Sequence, residues 1–265
     1  MSGMADELVH YRADHGVATI TLDSPHNRNA LSAQLRRELA QALTTALQDD
    51  AVRVIVLDHT GPVFCAGMDL KEARGAGASE QGVNEFPQLL SRIMTSPKPV
   101  VAKLAGPARA GGVGLVAAAD IAVAVDDATF AFSEVRIGVV PAVISVPVLP
   151  RLLPRAAHEL FLTGAPFDAA RAAEIGLINA AVPRDQLDAT VDGYVTALAA
   201  GGPNALAATK ELLRRRTGAA DEEALKAAFD EMLALSARFF ASAEGQEGIR
   251  AFAEKRKPNW VPDQS

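Results

Sequence analysis

Near its start the chain alternates: Val17, Thr19 and Thr21 interleave with Ala18, Ile20 and Leu22, a strand pattern that stops at the turn-rich Asp23-Ser24-Pro25-His26-Asn27. The period then changes. Leu35, Leu39, Ala42, Leu43 and Ala46 recur at helical spacing behind Ser32, a residue suited to capping a helix N-terminus. Residues 52–58 predict a second strand, and residues 61–72 a loop that enters a helix. Glycine and alanine dominate 75–83, which predicts a mobile loop, and a helix follows over 85–94 until Pro97 and Pro99 stop it. A third strand is predicted over 100–104, a glycine-rich turn and helix over 106–119, and a fourth strand over 121–125.

Short strands alternating with helices predict an α/β architecture, and the spacing fits either a doubly wound sheet or a spiral of ββα turns. From about Asn204 the chain reads as helices, with Leu206, Leu212, Leu213, Leu225, Phe229, Leu233, Phe239 and Phe240 on apolar stripes. Gly201-Gly202-Pro203 separates an α/β core over 1–200 from a helical region over 201–265. That region is expected to pack as a layer rather than to fold alone.

The 265 residues, 49% hydrophobic and 22% charged, suffice for one large core. A formal charge of −6 argues against broad nucleic-acid binding, although Lys255, Arg256 and Lys257 form a local basic patch. The single cysteine, Cys65, precludes an intramolecular disulfide and suits a reducing cytoplasm. The N-terminal residues lack the pattern of a signal peptide, and no uncharged apolar run reaches spanning length, so neither secretion nor membrane insertion is expected. His10, His15, His26, His59 and His158 are scattered without metal-ligand spacing, so no metal is expected.

Two motifs compete for attention. Gly112-Val113-Gly114-Leu115-Val116-Ala117 satisfies a dinucleotide-binding pattern, but residues 106–111 separate it from the preceding strand and Asp126 comes too soon to serve as the ribose acid. The glycines are better read as permitting close helix–strand packing. The second feature is a pair of glycine turns, 64–70 and 105–112, each placed at the start of a predicted helix. Unpaired N–H groups from two such turns, aimed at one point, would form an oxyanion hole for a thioester carbonyl becoming an enolate.

Asn29-Ala30-Leu31-Ser32, FCAGMDLKE (64–72), AGPARAGGVGLVAAADIAVA (105–124) and AFSEVRIGVVP (131–141) resemble the successive signatures of the crotonase, or enoyl-CoA hydratase/isomerase, superfamily. Phe161-Leu162-Thr163-Gly164, the segment 172–178 and the segment 251–258 extend the resemblance over nearly the whole chain. It implies a spiral of ββα turns, a C-terminal helical trimerisation region, and a homotrimer or dimer of trimers. It also implies that Met68 and Gly111 supply the oxyanion-hole amides. Arg28, Ala30, Ala66, Asp69 and Leu70 match positions along the adenine and pantetheine of coenzyme A, and Phe252 and Lys255 match C-terminal residues that reach the nucleotide. Coenzyme A enters as part of an acyl-CoA substrate, and no separate cofactor is implied.

The resemblance departs from the family at the carboxylates. Its hydratases commonly use two glutamates, at the positions of Gly114 and Glu134; here only Glu134 is present. Downstream, Val140-Pro141-Ala142-Val143-Ile144-Ser145 replaces a glycine-rich turn with a branched apolar loop, and the combination of GGVGL, SEVRIG and PAVIS resembles a bacterial branch of methylglutaconyl-CoA-type or general enoyl-CoA hydratases. A hydratase is expected, with Ser133 or Ser145 ordering the water. Two alternatives are an isomerase, for which one proton-carrying group is enough, and a non-catalytic CoA-thioester-binding paralogue, suggested by the missing glutamate and by Arg109-Ala110 in the second turn.

Overall fold

A computed structural model describes residues 7–69, 72, 85–216 and 222–261. The segment 75–83, Leu70 and most of the helix expected after residue 69 lie outside them. Strands β1 (Val9–Asp14) and β2 (Val17–Leu22) form an antiparallel hairpin. Its two loop residues, His15 and Gly16, take positive φ values of 47° and 82°, the twist such a tight loop requires. Helix α1 (Ala33–Gln48) buries Leu35, Leu39, Ala42, Leu43 and Ala46, and the Ser32 hydroxyl accepts the Leu35 N–H at 3.2 Å to cap it.

The chain continues through β3 (Val54–His59), α2 (Glu85–Thr95), β4 (Val100–Leu104), β5 (Ala108–Arg109), α3 (Gly111–Ala118), β6 (Ile121–Val125) and β7 (Thr129–Ala131). Then come α4 (Ala142–Val148), α5 (Pro154–Thr163), β8 (Phe167–Asp168), α6 (Ala169–Glu174), β9 (Ala180–Val182), α7 (Leu187–Ala199), α8 (Pro203–Arg216), α9 (Glu222–Phe240) and α10 (Ala243–Glu254). One sheet has the order β1-β2-β3-β4-β6-β9, parallel apart from the first hairpin; the other has the order β5-β7-β8. Successive passes give one strand to each sheet before a helix, β4-β5-α3 and then β6-β7-α4. This is a spiral of ββα turns, which decides the alternative that spacing left open.

Strands β3 and β4 are covered on both faces, so their apolar runs are nearly continuous. The hydrophobic run predicted from residue 52 becomes a strand only at Val54, because the Val52 N–H first closes a turn on the Asp49 carbonyl at 2.9 Å. Strand β5 interrupts the glycine turn predicted over 106–119. Its register against Phe130 and Ala131 and the Arg109 N–H bond to the Cys65 carbonyl (3.0 Å) delay the helix to Gly111.

The C-terminal helices lie on this spiral. Leu225 and Phe229 of α9 are buried within the same core as the sheet, whereas Leu212 and Leu213 of α8 are exposed. Helix α9 packs on α4, and α10 packs on the 3-10 turn Ser133–Ile137. A Cβ on Gly248 would stand 2.1 Å from the Ile137 carbonyl oxygen, so only glycine lets α10 press on that turn. Polar ties reinforce the layer: Arg53 Nη2 donates to the Gly201 carbonyl (2.6 Å), and Lys210 Nζ donates to Asp120 Oδ2 (2.6 Å) and the Lys98 carbonyl (3.1 Å). Among the described residues no helix is long and apolar enough to cross a membrane.

Because α9 contributes to the shared core, Phe229→Ala is expected to cost about 3–5 kcal/mol and to shift one cooperative urea transition of the whole chain. Two separate transitions, with the one for the sheet unmoved, would mean that residues 201–265 fold alone.

Candidate active site

The site begins with the loop that follows β2. Asn29 is fully buried in a left-handed conformation (φ 52°), which asparagine tolerates. Its Oδ1 accepts the Ser24 N–H at 2.6 Å, and its Nδ2 donates to the carbonyls of Thr60 (3.0 Å) and Val63 (2.8 Å). This clamp seats residues 24–31 against the segment after β3. The Leu31 N–H then donates to the Gly67 carbonyl at 2.8 Å, and Leu31 forms a parallel bridge with Met68. Arg36, buried on α1, donates from Nη1 to the Leu31 carbonyl at 2.5 Å.

Residues 64–69 run beside residues 107–111. The Phe64 N–H donates to the Pro107 carbonyl and the Arg109 N–H to the Cys65 carbonyl, both at 3.0 Å. Gly67 has φ +88°, and a Cβ there would lie 3.0 Å from Ala110 Cβ and 3.4 Å from Gly111 N. The two turns therefore meet, with Met68 and Gly111 on either side of the contact. Gly111 opens α3, ahead of the helix's own hydrogen-bond ladder. Among the described residues the Met68 and Gly111 amides have no protein acceptor.

Ala110 reaches this geometry under strain. Its φ of 46° and ψ of −118° suit glycine, and such a conformation costs roughly 1–3 kcal/mol when a side chain is present. Surrounding bonds hold it: its N–H donates to the Ala131 carbonyl (3.0 Å), and its carbonyl accepts from Val113 (2.9 Å) and Gly114 (3.2 Å). On the other side of the turn His59 is buried, its Nε2 accepting the Ala105 N–H at 2.9 Å while Nδ1 faces the Thr60 carbonyl. Burial lowers its pKa and keeps it neutral, as that acceptor role requires. Burial also pushes the Cys65 thiol up to about 12, so it is a packing group and not a nucleophile.

Glu134 stands in the turn Ser133–Ile137, on the same cavity. Among the described residues its buried Oε2 has no hydrogen-bond partner, and desolvation raises its pKa from 4.5 to about 7 against the opposing hydrogen bond of its own backbone amide. The cavity measures about 200 Å³. Phe86, Val140, Ala142, Val143, Ile144 and Phe240 give it an apolar wall. A carboxyl near neutrality that shares a largely apolar cavity with two free amides can move a proton while a neighbouring oxygen gains negative charge.

The sequence profile of the Enoyl-CoA hydratase/isomerase family matches residues 12–263. The chain belongs to this family. It is 37% identical to mevalonyl-coenzyme A hydratase sidH of Aspergillus fumigatus, the match covering 96% of this chain and 94% of that protein. It is 35% identical to an enoyl-CoA hydratase of Mycobacterium tuberculosis, covering 96% of each. A crystal structure of an enoyl-CoA hydratase from Mycobacterium avium superposes with a TM-score of 0.86 at 46% identity, over 97% of this chain and all of that one.

Of the positions that the family resemblance singles out, Ala66, Met68, Asp69, Gly111, Glu134 and Phe252 line the one cavity. Arg28 and Ala30 do not. Arg28 is exposed and touches the site only through its carbonyl, which accepts the Ala66 N–H at 3.0 Å, while Ala30 is buried beside the Leu31 bridge. Lys255 is exposed at the C-terminal cap of α10, off the cavity wall, and Leu70 is outside the described residues. Of the two serines expected to order water, Ser133 lines the cavity, but Ser145 donates its hydroxyl to the Ala142 carbonyl at 2.6 Å and is absent from the lining. Arg36 and Ser236 also line it, without having been singled out in the sequence. Among the described residues no three His, Cys, Asp or Glu side chains gather to hold a metal.

The family's other glutamate position is occupied by more than a glycine. A Cβ on Gly114 would lie 2.8 Å from Ile144 Cγ2 and 3.6 Å from Leu90 Cδ1, both buried, so Ile144 fills the space a second carboxylate would need; it stands on helix α4, where the sequence predicted a loop. Gly114→Glu by itself is expected to lower stability by about 1–3 kcal/mol, as overpacking does. Combining it with Ile144→Ala should cost less than the two single changes summed, as read from urea midpoints. A fully stable single variant, or strict additivity, would contradict this packing.

Proposed function

We propose that the chain hydrates a 2-enoyl-CoA thioester. The observation that carries this reading is the Glu134 carboxyl, whose buried Oε2 has no partner among the described residues, on the same cavity as the free Met68 and Gly111 amides. The thioester oxygen accepts both amides, which withdraws charge from the conjugated double bond and makes Cβ electrophilic. Glu134, as carboxylate, takes a proton from water as the water oxygen bonds to Cβ, and the electron pair moves through Cα onto the thioester oxygen. The same carboxyl then returns the proton to Cα, so one water is added with no net change in the protein. A pKa of about 7 lets one group give and take at neutral pH. Ser133, next to it on the cavity wall, is suited to orient the water.

Coenzyme A enters only as part of the substrate, in this reading, and no separate cofactor is used. Arg28, Ala30 and Leu70 serve its nucleotide and pantetheine. Lys255 meets a nucleotide bound across a subunit boundary, in a homotrimer or dimer of trimers held by residues 201–265. The protein works in the cytoplasm without nucleic-acid partners or membrane insertion.

A second reading is favoured by Ile144, which fills the space of a second carboxylate. A single proton carrier suffices for an isomerase that moves the double bond by removing and returning a proton. Incubation with crotonyl-CoA and with longer or branched enoyl-CoAs, followed by product mass and double-bond position, separates the two. Gain of one water is expected, and Glu134→Gln should reduce turnover by about 10²- to 10⁴-fold with acyl-CoA affinity little changed. Migration of the bond without added water would favour the isomerase. Undiminished turnover in the Gln variant would remove Glu134 from the chemistry under either reading.

A further inference from the structure

The cavity wall contains a polar group that the proposed hydration leaves unused. Ser236, on α9, is only 6% exposed and lines the cavity about Glu134. Several hydroxyls within helices here bond to the preceding turn, among them Thr163 on the Glu159 carbonyl at 2.7 Å and Thr209 on the Ala205 carbonyl at 2.7 Å. Ser236 does not, and its hydroxyl has no protein partner among the described residues. Nor is its oxygen sealed away, so it opens on the cavity. One turn later on α9, Phe240 lines the same space, and the facing wall from α4 is Ala142, Val143 and Ile144.

A hydroxyl in such a wall is an unmet requirement. Hydrogen-bonding groups withdrawn from water without a partner destabilise the state that buries them, and an alkyl chain filling this cavity would strip away any water that Ser236 held. An acyl group that brings its own hydroxyl restores the bond. A neutral hydroxyl is the partner that Ser236 itself can match, because a serine cannot offset a full charge; a carboxylate would depend on Arg36 or Arg136 elsewhere on the lining.

Building on the hydratase reading, we propose that Ser236 is a specificity-determining residue that recognises a hydroxyl carried on the acyl chain, making hydroxylated 2-enoyl-CoA thioesters the preferred substrate class. The residue acts on the choice of acyl group, not on the proton transfer assigned to Glu134.

The test uses the full-length protein and a series of 2-enoyl-CoA thioesters with the hydroxyl at successive acyl carbons, each paired with its methyl isostere. At least one hydroxylated member should be hydrated with a kcat/KM about tenfold or more above its partner, the size expected for one neutral hydrogen bond. Ser236→Ala should bring that ratio close to one, and Ser236→Thr, which keeps the hydroxyl, should retain it. Equal rates for every pair, or a preference that survives Ser236→Ala, would overturn the proposal. Dissociation constants for the matching saturated hydroxyacyl- and acyl-CoAs give a readout independent of turnover. If no thioester is hydrated but the saturated hydroxyacyl-CoA binds about tenfold tighter and loses this in Ser236→Ala, the hydratase reading fails while the recognition stands. Equal binding of the saturated pair as well would end both.

Discussion

The proposed active centre depends on the contact of two backbone turns that are distant in sequence. An oxyanion hole built from main-chain amides needs its donors fixed within a few tenths of an ångström, because hydrogen bonds weaken steeply as their geometry degrades. Here Gly67 packs directly on Ala110 and Gly111, and the distance between the turns is set by van der Waals contact instead of by flexible side chains. Much of the surrounding structure serves that contact: Asn29 clamps the first loop, Leu31 bridges to Met68, neutral His59 holds Ala105, and the short strand β5 aligns the second turn. The strained Ala110 is retained within the same set of bonds, which is how a folded protein sustains an unfavourable backbone conformation at a working site.

The second constraint is electrostatic. Among the described residues Glu134 has no cationic partner to hold it ionised, and its proton affinity follows from burial against α10 and the apolar cavity. This suits Glu134 to both halves of a proton transfer, a task that two glutamates with separated pKa values would divide. Filling the other position with Ile144 is consistent with that economy. It removes a like charge that would perturb Glu134 and gives the acyl chain a branched apolar surface. The hydroxyl of Ser236 is then a neutral polar group beside the apolar face that α4 and Phe240 present, on a lining that also carries Arg36, Asp69 and Ser133.

Legibility in the sequence tracked physical cause. Strand β2, helix α1 and strands β3, β4 and β6 bury regular faces, so their residues carry the period of the element. Strand β1 did not stand out because it lies at a sheet edge with only Val9 buried, leaving no alternation to read. The two- and three-residue strands of the second sheet are too short for any period, and their existence depends on pairing with distant segments. The order of the motifs pointed to Met68, Gly111 and Glu134, whose local sequences carry the turn chemistry. It could not reveal Ser236 or the occupation of the Gly114 space by Ile144, since both arise from packing between α9, α4 and α3. Nor did sequence distinguish Ser133 from Ser145; a hydrogen bond inside α4 does.

The central claim is that burial leaves Glu134 protonated up to neutrality without a charged partner among the described residues. It is tested most directly by following the carboxyl through a pH titration, using carbon-13 glutamate resonances in the native chain and in Glu134→Gln to assign the signal. Titration near 7, absent from the variant, is the predicted result. The linked stability has a definite sign. The folded state keeps this proton where the unfolded chain, at 4.5, has released it, so the contribution is complete below about 4.5 and is lost as pH rises towards 7. Titration of Glu134 close to 4.5, with no such loss relative to the variant, would contradict the account.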